Sequence, residues 1–324
     1  MAWLGILAAF GNMVFSGVAT VLYKSQGKNV KPGLMLVIQT IVSAISFQIL
    51  TASTGNFHEM FKIPITALVA FIFAAILGII IGNFLYFTSL NLIGVSKAYP
   101  IAMTYPLLTY ILEIIFLDGT FHWMKFLGII SIIVGVIFIS ISQSNNNNDD
   151  ESIARIEKSE EELNNQKRGK FFSKIYQNKT FFGIFLALVT TITWASGTTL
   201  IKYGLNHTDV DIIPINGARM IFLIPFALIM HFATRKKNED KQKITWKSVS
   251  IVGIGALFGL VVANMVYLFA LDVVGTSTTA AIAASGPLIT TPLSVLFLKE
   301  KIDWEIIKGT ILTIIGNVLV VLLV

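Results

Sequence analysis

The sequence predicts an all-α membrane protein, with ten transmembrane helices arranged as two inverted five-helix repeats. Three observations carry that expectation. The 324-residue chain is 55% hydrophobic and 13% charged, with a mean hydropathy of +0.77, whereas soluble globular proteins average about 45–50% apolar and about 25% charged residues. Apolar stretches of about 20 residues, the length that crosses hydrocarbon, recur along the whole chain. A block of the first half also reappears in the second half at a constant offset.

The spans fall near residues 3–23, 34–52, 64–88, 96–117, 124–142, 181–202, 212–233, 248–271, 277–298 and 305–324. Most links between them are short, with turn signals such as Gly94 and Gly275, so sequential spans run antiparallel. The first apolar stretch continues as a full-length span, which argues against a separate signal peptide. Residues 143–180 differ from the rest: an Asn run at 145–148 leads through Asp149, Asp150 and Glu151 into mixed Glu, Lys and Arg. The expected organisation is therefore a first repeat over 1–142, a polar charged linker over 143–180 and a second repeat over 181–324. The linker reads as a solvated connector; apolar stripes on the bilayer surface, formed by Ile153, Ile156 and Leu163, then Phe171, Phe172 and Ile175, are the alternative.

The duplication is explicit in the residues. Moved forward by 181 positions, 76–135 falls on 257–316 without a gap. Asn83 meets Asn264, Tyr86 meets Tyr267, Gly94 meets Gly275, Pro106-Leu107 meets Pro287-Leu288 and Trp123 meets Trp304. Gly128 and Gly135 meet Gly309 and Gly316. Shared hydrophobicity explains Leu on Leu, but not Asn, Tyr, Pro and Trp recurring in register. Five is odd, so the second half enters the membrane from the opposite side. Many secondary transporters are built this way, with the solute held near the midplane between repeats.

The distribution of positive charge orients the chain. The connections after spans one, three, five, seven and nine carry 20 Lys and Arg, or 13 without the linker, against three on the other side: Lys62, Lys125 and Lys202. Positive residues remain cytoplasmic, which places the linker inside and both termini outside. The net charge of +6 reflects these loops and no nucleic-acid surface.

Polar groups inside spans are costly and face a cavity or a partner helix. Asn83 and Asn264 can donate and accept at mid-membrane, either to a solute or across helices. Tyr86 and Tyr267 follow three residues later on nearly the same face, as solute contacts or interface anchors. Trp194 lies in span six among Thr190, Thr191, Thr193, Ser196, Thr198 and Thr199. Arg219 in span seven is an anion-binding candidate, with internal pairing or a headgroup contact as alternatives. Glu113 in span four can couple proton movement or reach water at the span end. Pro100, Pro106, Pro287 and Pro292 interrupt spans four and nine as hinges. Spans five and ten, apolar with paired glycines, read as scaffold.

These residues carry a family resemblance. Five plus five spans, prolines in spans four and nine, and Pro287 followed by Phe297-Leu298-Lys299-Glu300, Trp304, Gly309 and Gly316 resemble the EamA family of the drug/metabolite transporter (DMT) superfamily. Trp194 and Arg219 are similar to family positions, while Asp118-Gly119 and Gln39 depart from the expected glutamate and arginine. The resemblance covers the chain outside 143–180. It implies two inverted bundles around a cavity lined by spans one, three, four, six, eight and nine, and relatives that move amino acids, other metabolites, sugars, choline or nucleotide sugars.

Together these readings predict a transporter of a small polar or amphipathic metabolite, an amino acid or related compound foremost, working by alternating access in the cell membrane. Sugar or quaternary-amine uptake and a non-transporting scaffold or sensor are the alternatives. Expected solute contacts are Asn83, Tyr86, Trp194, Asn264 and Tyr267. Protons are the candidate coupling ion, and the assembly is a monomer or homodimer. No metal, cofactor or nucleic acid is expected. Cysteine is absent, which removes disulfides and thiolate chemistry. His58, His122, His207 and His231 sit in loops or at span ends, unlike an intramembrane enzyme centre. No Walker motif supports ATP hydrolysis by this chain.

Overall fold

A computed structural model describes residues 1–26, 29–93, 95–139, 179–234, 245–289, 292 and 304–322. Those residues form helices and short connections, with no strand among them. In the first half, α1 (Ala2–Gln26) and α2 (Pro32–Ser53) are spans one and two. Span three is continuous but compound: α3 (Ile65–Ala75), a π-helical turn (Ile76–Gly82) and α4 (Asn83–Ile93). Span four is α5 (Val95–Ala102) and α6 (Tyr105–Phe116), and span five is α7 (Trp123–Ile139).

The second half repeats the pattern. Spans six and seven are α8 (Lys179–Leu205) and α9 (Ile212–Thr234), and span eight is α10 (Trp246–Ala256), a π turn (Leu257–Val262) and α11 (Ala263–Val274). Span nine opens with α12 (Thr276–Ala284), and α13 (Trp304–Val321) is span ten. Seven of these helices are long and apolar enough to cross a bilayer alone, with shorter apolar helices at Tyr105–Phe116 and Trp123–Ile139. The fold class is thus the one the sequence predicts. The linker stripes and the Phe297-Leu298-Lys299-Glu300 segment lie outside the described residues.

Packing follows the inversion. Span two lies along span seven, and α6 of span four against α12 of span nine. Span six packs along spans three and four, just as span one packs along spans eight and nine. Spans five and ten meet at the paired glycines in antiparallel register. A Cβ on Gly128 would stand 2.8 Å from the Gly316 carbonyl oxygen, and one on Gly309 would stand 2.5 Å from that of Gly135. Only glycine permits such backbone contact, and Ser131 Oγ, between them, donates to the Leu312 carbonyl at 2.8 Å.

Large apolar side chains such as Ile49, Phe73, Ile115 and Ile229 point outward, 57–64% exposed, as lipid-facing positions should. Trp3, Trp123, Trp246 and Trp304 each sit in the first turn of a span and are 66–83% exposed. Amphipathic rings favour the headgroup level. Trp123 and Trp304 are repeat mates, so inversion assigns them to opposite faces of the bilayer.

The two π turns are equivalent: offset by 181, Ile76 becomes Leu257. A π turn adds a residue to the helical circuit and re-aims the side chains beyond it. Asn83 lies directly after the first turn, and Asn264 follows the second with Ala263 between.

Candidate functional site

Trp194, midway along span six, is the half-buried exception among the tryptophans. Its Nε1–H donates to the Gly78 carbonyl at 3.2 Å. Gly78 lies within the first π turn, where helix hydrogen bonding is shifted from its α register. At the end of that turn, a Cβ on Gly82 would stand 2.6 Å from Trp194 Cδ1, so the indole occupies the space glycine leaves.

Aromatic rings from spans three and four complete the cluster. The Tyr86 ring centre is 5.2 Å from that of Trp194, and Tyr105 meets the indole edge-on at 5.8 Å. Tyr99 lies 6.5 Å from Tyr86. The Tyr105 hydroxyl crosses to the other repeat, donating to the Ala280 carbonyl of span nine at 3.1 Å. Such a cluster offers apolar faces with polar tips.

Next to it is a polar group from the second repeat. Arg219 is 2% exposed, and its Nη2 donates to Asn264 Oδ1 at 2.9 Å. Its Nε and Nη1 are buried without a hydrogen-bond partner among the described residues. Tyr267, three residues after Asn264 on span eight, shares a hydrogen bond with Thr198 of span six at 2.9 Å, one turn beyond Trp194. From span one, Asn12 Nδ2 donates to the Ala263 carbonyl at 2.9 Å, beside the second π turn.

Of the residues singled out in the sequence, Tyr86, Trp194, Asn264, Tyr267 and Arg219 belong to this connected region. Asn83 is half-buried and makes no side-chain hydrogen bond among the described residues, so the repeat mates differ: one amide holds a guanidinium and the other is uncommitted. Arg219 pairs internally through Asn264, one of its three alternatives, yet keeps two donor nitrogens unused.

Glu113 lies elsewhere, where span four meets span nine. Its Oε2 accepts from Thr276 Oγ1 and from the Ser277 backbone N–H, both at 2.6 Å, while Lys125 Nζ stands 3.8 Å from Oε1. The carboxylate therefore caps the N-terminus of α12, where the helix dipole favours negative charge. The preceding residue, Gly275, has φ 83° and ψ 173°, a region essentially reserved for glycine. A Cβ there would stand 3.2 Å from Glu113 Oε1.

Two of the four prolines adjoin breaks in their helices. Span four breaks between α5 and α6, with Pro106 in the first turn of α6. Span nine breaks after Ala284, just before buried Pro287. Pro100 sits inside α5, and Pro292 is exposed beside positions outside the described residues. Sequence reasoning missed Tyr99 as a ring partner, Gly78 and Gly82 as the seat of Trp194, and both π turns. One signal was present: Gly78 recurs as Gly259 at the repeat offset. Among the described residues, no three His, Asp or Glu side chains gather as metal ligands.

Comparison with known proteins agrees with this architecture. The family model of EamA-like transporters matches residues 3–141 and again 181–322. An uncharacterized transporter of Archaeoglobus fulgidus is 23% identical over 290 residues, covering 84% of this chain and 88% of its own. A protein of known crystal structure superposes with a TM-score of 0.70 at 14% identity over 98% of both chains, a likeness of fold. Both five-span halves match the model, and the chain belongs to the EamA-like transporter family of multi-pass membrane proteins.

Proposed function

We propose that this transporter moves a small polar or amphipathic metabolite, an amino acid or related compound foremost, by alternating access between its inverted halves, 1–142 and 181–324. The observation that carries the reading is the convergence of Tyr86 and Tyr105, from spans three and four, on Trp194 of span six, whose indole N–H is held by the carbonyl of a π turn. Rings with polar tips from three spans suit a solute that has both polar and apolar parts. In the proposal, Tyr86, Trp194, Asn264 and Tyr267 contact the solute, and uncommitted Asn83 enters when the bundle rearranges. The breaks at Pro106 and Pro287 act as the hinges, with Pro100 and Pro292 on the same two spans.

Glu113 serves as the proton-coupling group. Its carboxyl oxygen Oε2 ties span four to α12 through Thr276 and Ser277. The protein resides in the cell membrane with the 143–180 linker in the cytoplasm, following the charge bias of its loops.

A thermal-stability screen of purified protein against amino acids, sugars and quaternary amines tests the reading. A solute at a hundred times its dissociation constant adds about 2.7 kcal/mol. A hit among amino acids that is lost in Asn264→Ala supports the central site. The aromatic cluster also suits a quaternary ammonium, and a hit confined to that class replaces the amino-acid reading. Stabilisation by no class, together with no counterflow in proteoliposomes, rejects a central solute site.

A further inference from the structure

We infer that Arg219 is the anion-binding element of the site, and that the solute is a small amphipathic carboxylate with its apolar part among Tyr86, Tyr105 and Trp194. This rests on the transport reading above and names its substrate class.

The argument begins with a charge. An arginine does not deprotonate in proteins, so at 2% exposure Arg219 is a cation taken out of water. Such a group is retained when an anion or a full set of acceptors offsets its desolvation. Among the described residues neither is present: its hydrogen-bond partner there is the neutral amide oxygen of Asn264, and Nε and Nη1 have none. Glu113, the acid within span four, is committed to Thr276, Ser277 and Lys125. The other described acids, Glu59, Asp118, Asp209, Asp211, Asp272 and Glu305, lie in loops or at helix ends.

Geometry selects the anion. Nη2 has two hydrogens and gives one to Asn264, so its second works with Nε or with Nη1 as a two-pronged donor. That fork matches a carboxylate. One turn earlier on span seven, buried Asn216 Oδ1 also has no partner, an acceptor on the same helical face for an N–H of the solute. Tyr267 links this polar end to the aromatic one: it lies three residues after Asn264 on span eight, and its hydroxyl shares a hydrogen bond with Thr198, one turn beyond Trp194 on span six. Polar and apolar ends of one small molecule would therefore meet opposite ends of one site.

The test uses Trp194 as reporter. Replacing Trp3, Trp123, Trp246 and Trp304 with Phe leaves one tryptophan in the full chain, held in phosphatidylcholine nanodiscs. The probes are 3-phenylpropionate and 3-phenylpropionamide, alike except for the charge. The expected result is a saturable Trp194 response with the carboxylate bound at least about tenfold more tightly, the scale of one charge-assisted hydrogen bond. Arg219→Gln should bring the two probes within about twofold of each other. Should that variant not fold, Arg219→Lys keeps the charge without the fork and should lose most of the preference.

Equal binding of both probes, or a preference untouched by the Arg219 variants, overturns the anion assignment and leaves the solute site standing. Loss of the preference when phosphatidylglycerol is added assigns the arginine to a lipid headgroup and likewise overturns it. No response to either probe overturns the carboxylate reading, and with the failed counterflow described above it removes the solute site as well.

Discussion

Asn83 and Asn264 occupy equivalent positions in the two repeats, yet they do different work. Among the described residues, Asn264 supplies the one hydrogen bond Arg219 makes, and Asn83 makes none with its side chain. Asn264→Ala should therefore cost about 1.5–3 kcal/mol, the worth of a hydrogen bond to a charged group. Asn83→Ala should stay within about 0.5 kcal/mol. Thermal midpoints of the two variants in one detergent check the contrast, and equal losses would refute the division of labour. Trp194→Phe keeps the ring and removes the Nε1–H, stranding the Gly78 carbonyl. A loss of about 0.5–1.5 kcal/mol is expected, together with altered solute affinity in the stability screen.

At the scale of elements, the glycines of spans five and ten separate close packing from ordinary surface. A side chain at Gly135 or Gly309 meets backbone, which cannot rotate away, whereas a Cβ on Gly11 finds its nearest neighbour at 3.9 Å. Gly309→Val should destabilise by about 1–3 kcal/mol or more through overpacking, and Gly11→Ala should be neutral or slightly stabilising. Denaturation in mixed micelles distinguishes them. The π turns make a separate prediction. Deleting Gly78 takes out the extra residue and should return span three to α register, where each carbonyl of the turn bonds within the helix. Trp194 would lose its acceptor, so transport should vanish while the protein still elutes as a folded species. Retained transport would show that the turn is incidental.

For the whole molecule, inversion and charge bias together make a topology that can be measured without background, because the chain has no cysteine. With Asn147→Cys in the linker and Asn56→Cys between spans two and three, an impermeant maleimide applied to intact cells should label only position 56. The reverse pattern would place the termini in the cytoplasm and overrule the count of 13 against three positive residues. Glu113 belongs to this scale too, since it joins span four of one half to span nine of the other. Its repeat mate is Ser294, so the tie depends on an acid present in one half only. Glu113→Gln should leave exchange of solute intact and abolish its dependence on a proton gradient in proteoliposomes.

Ten spans, their antiparallel order, the duplication and the scaffold glycines were all legible in the sequence. Each follows from hydrophobic length or from residues repeating at one offset, and bilayer thickness and helical rise translate both directly into structure. Tyr86, Trp194, Asn264, Tyr267 and Arg219 could be named for being polar or aromatic where lipid-facing helices avoid polarity. Which of them meet was another matter. The partnership of Arg219 with Asn264 spans 45 residues, and Trp194 reaches a carbonyl 116 residues away. Such pairs depend on how helices rotate and cross, which periodicity leaves open. The π turns set that rotation for spans three and eight, and their extra residue hides among Ile, Leu, Val and Gly that suit an α-helix equally well. The tertiary structure decided it, because only packing against Trp194 and span one makes the shifted register the favourable one.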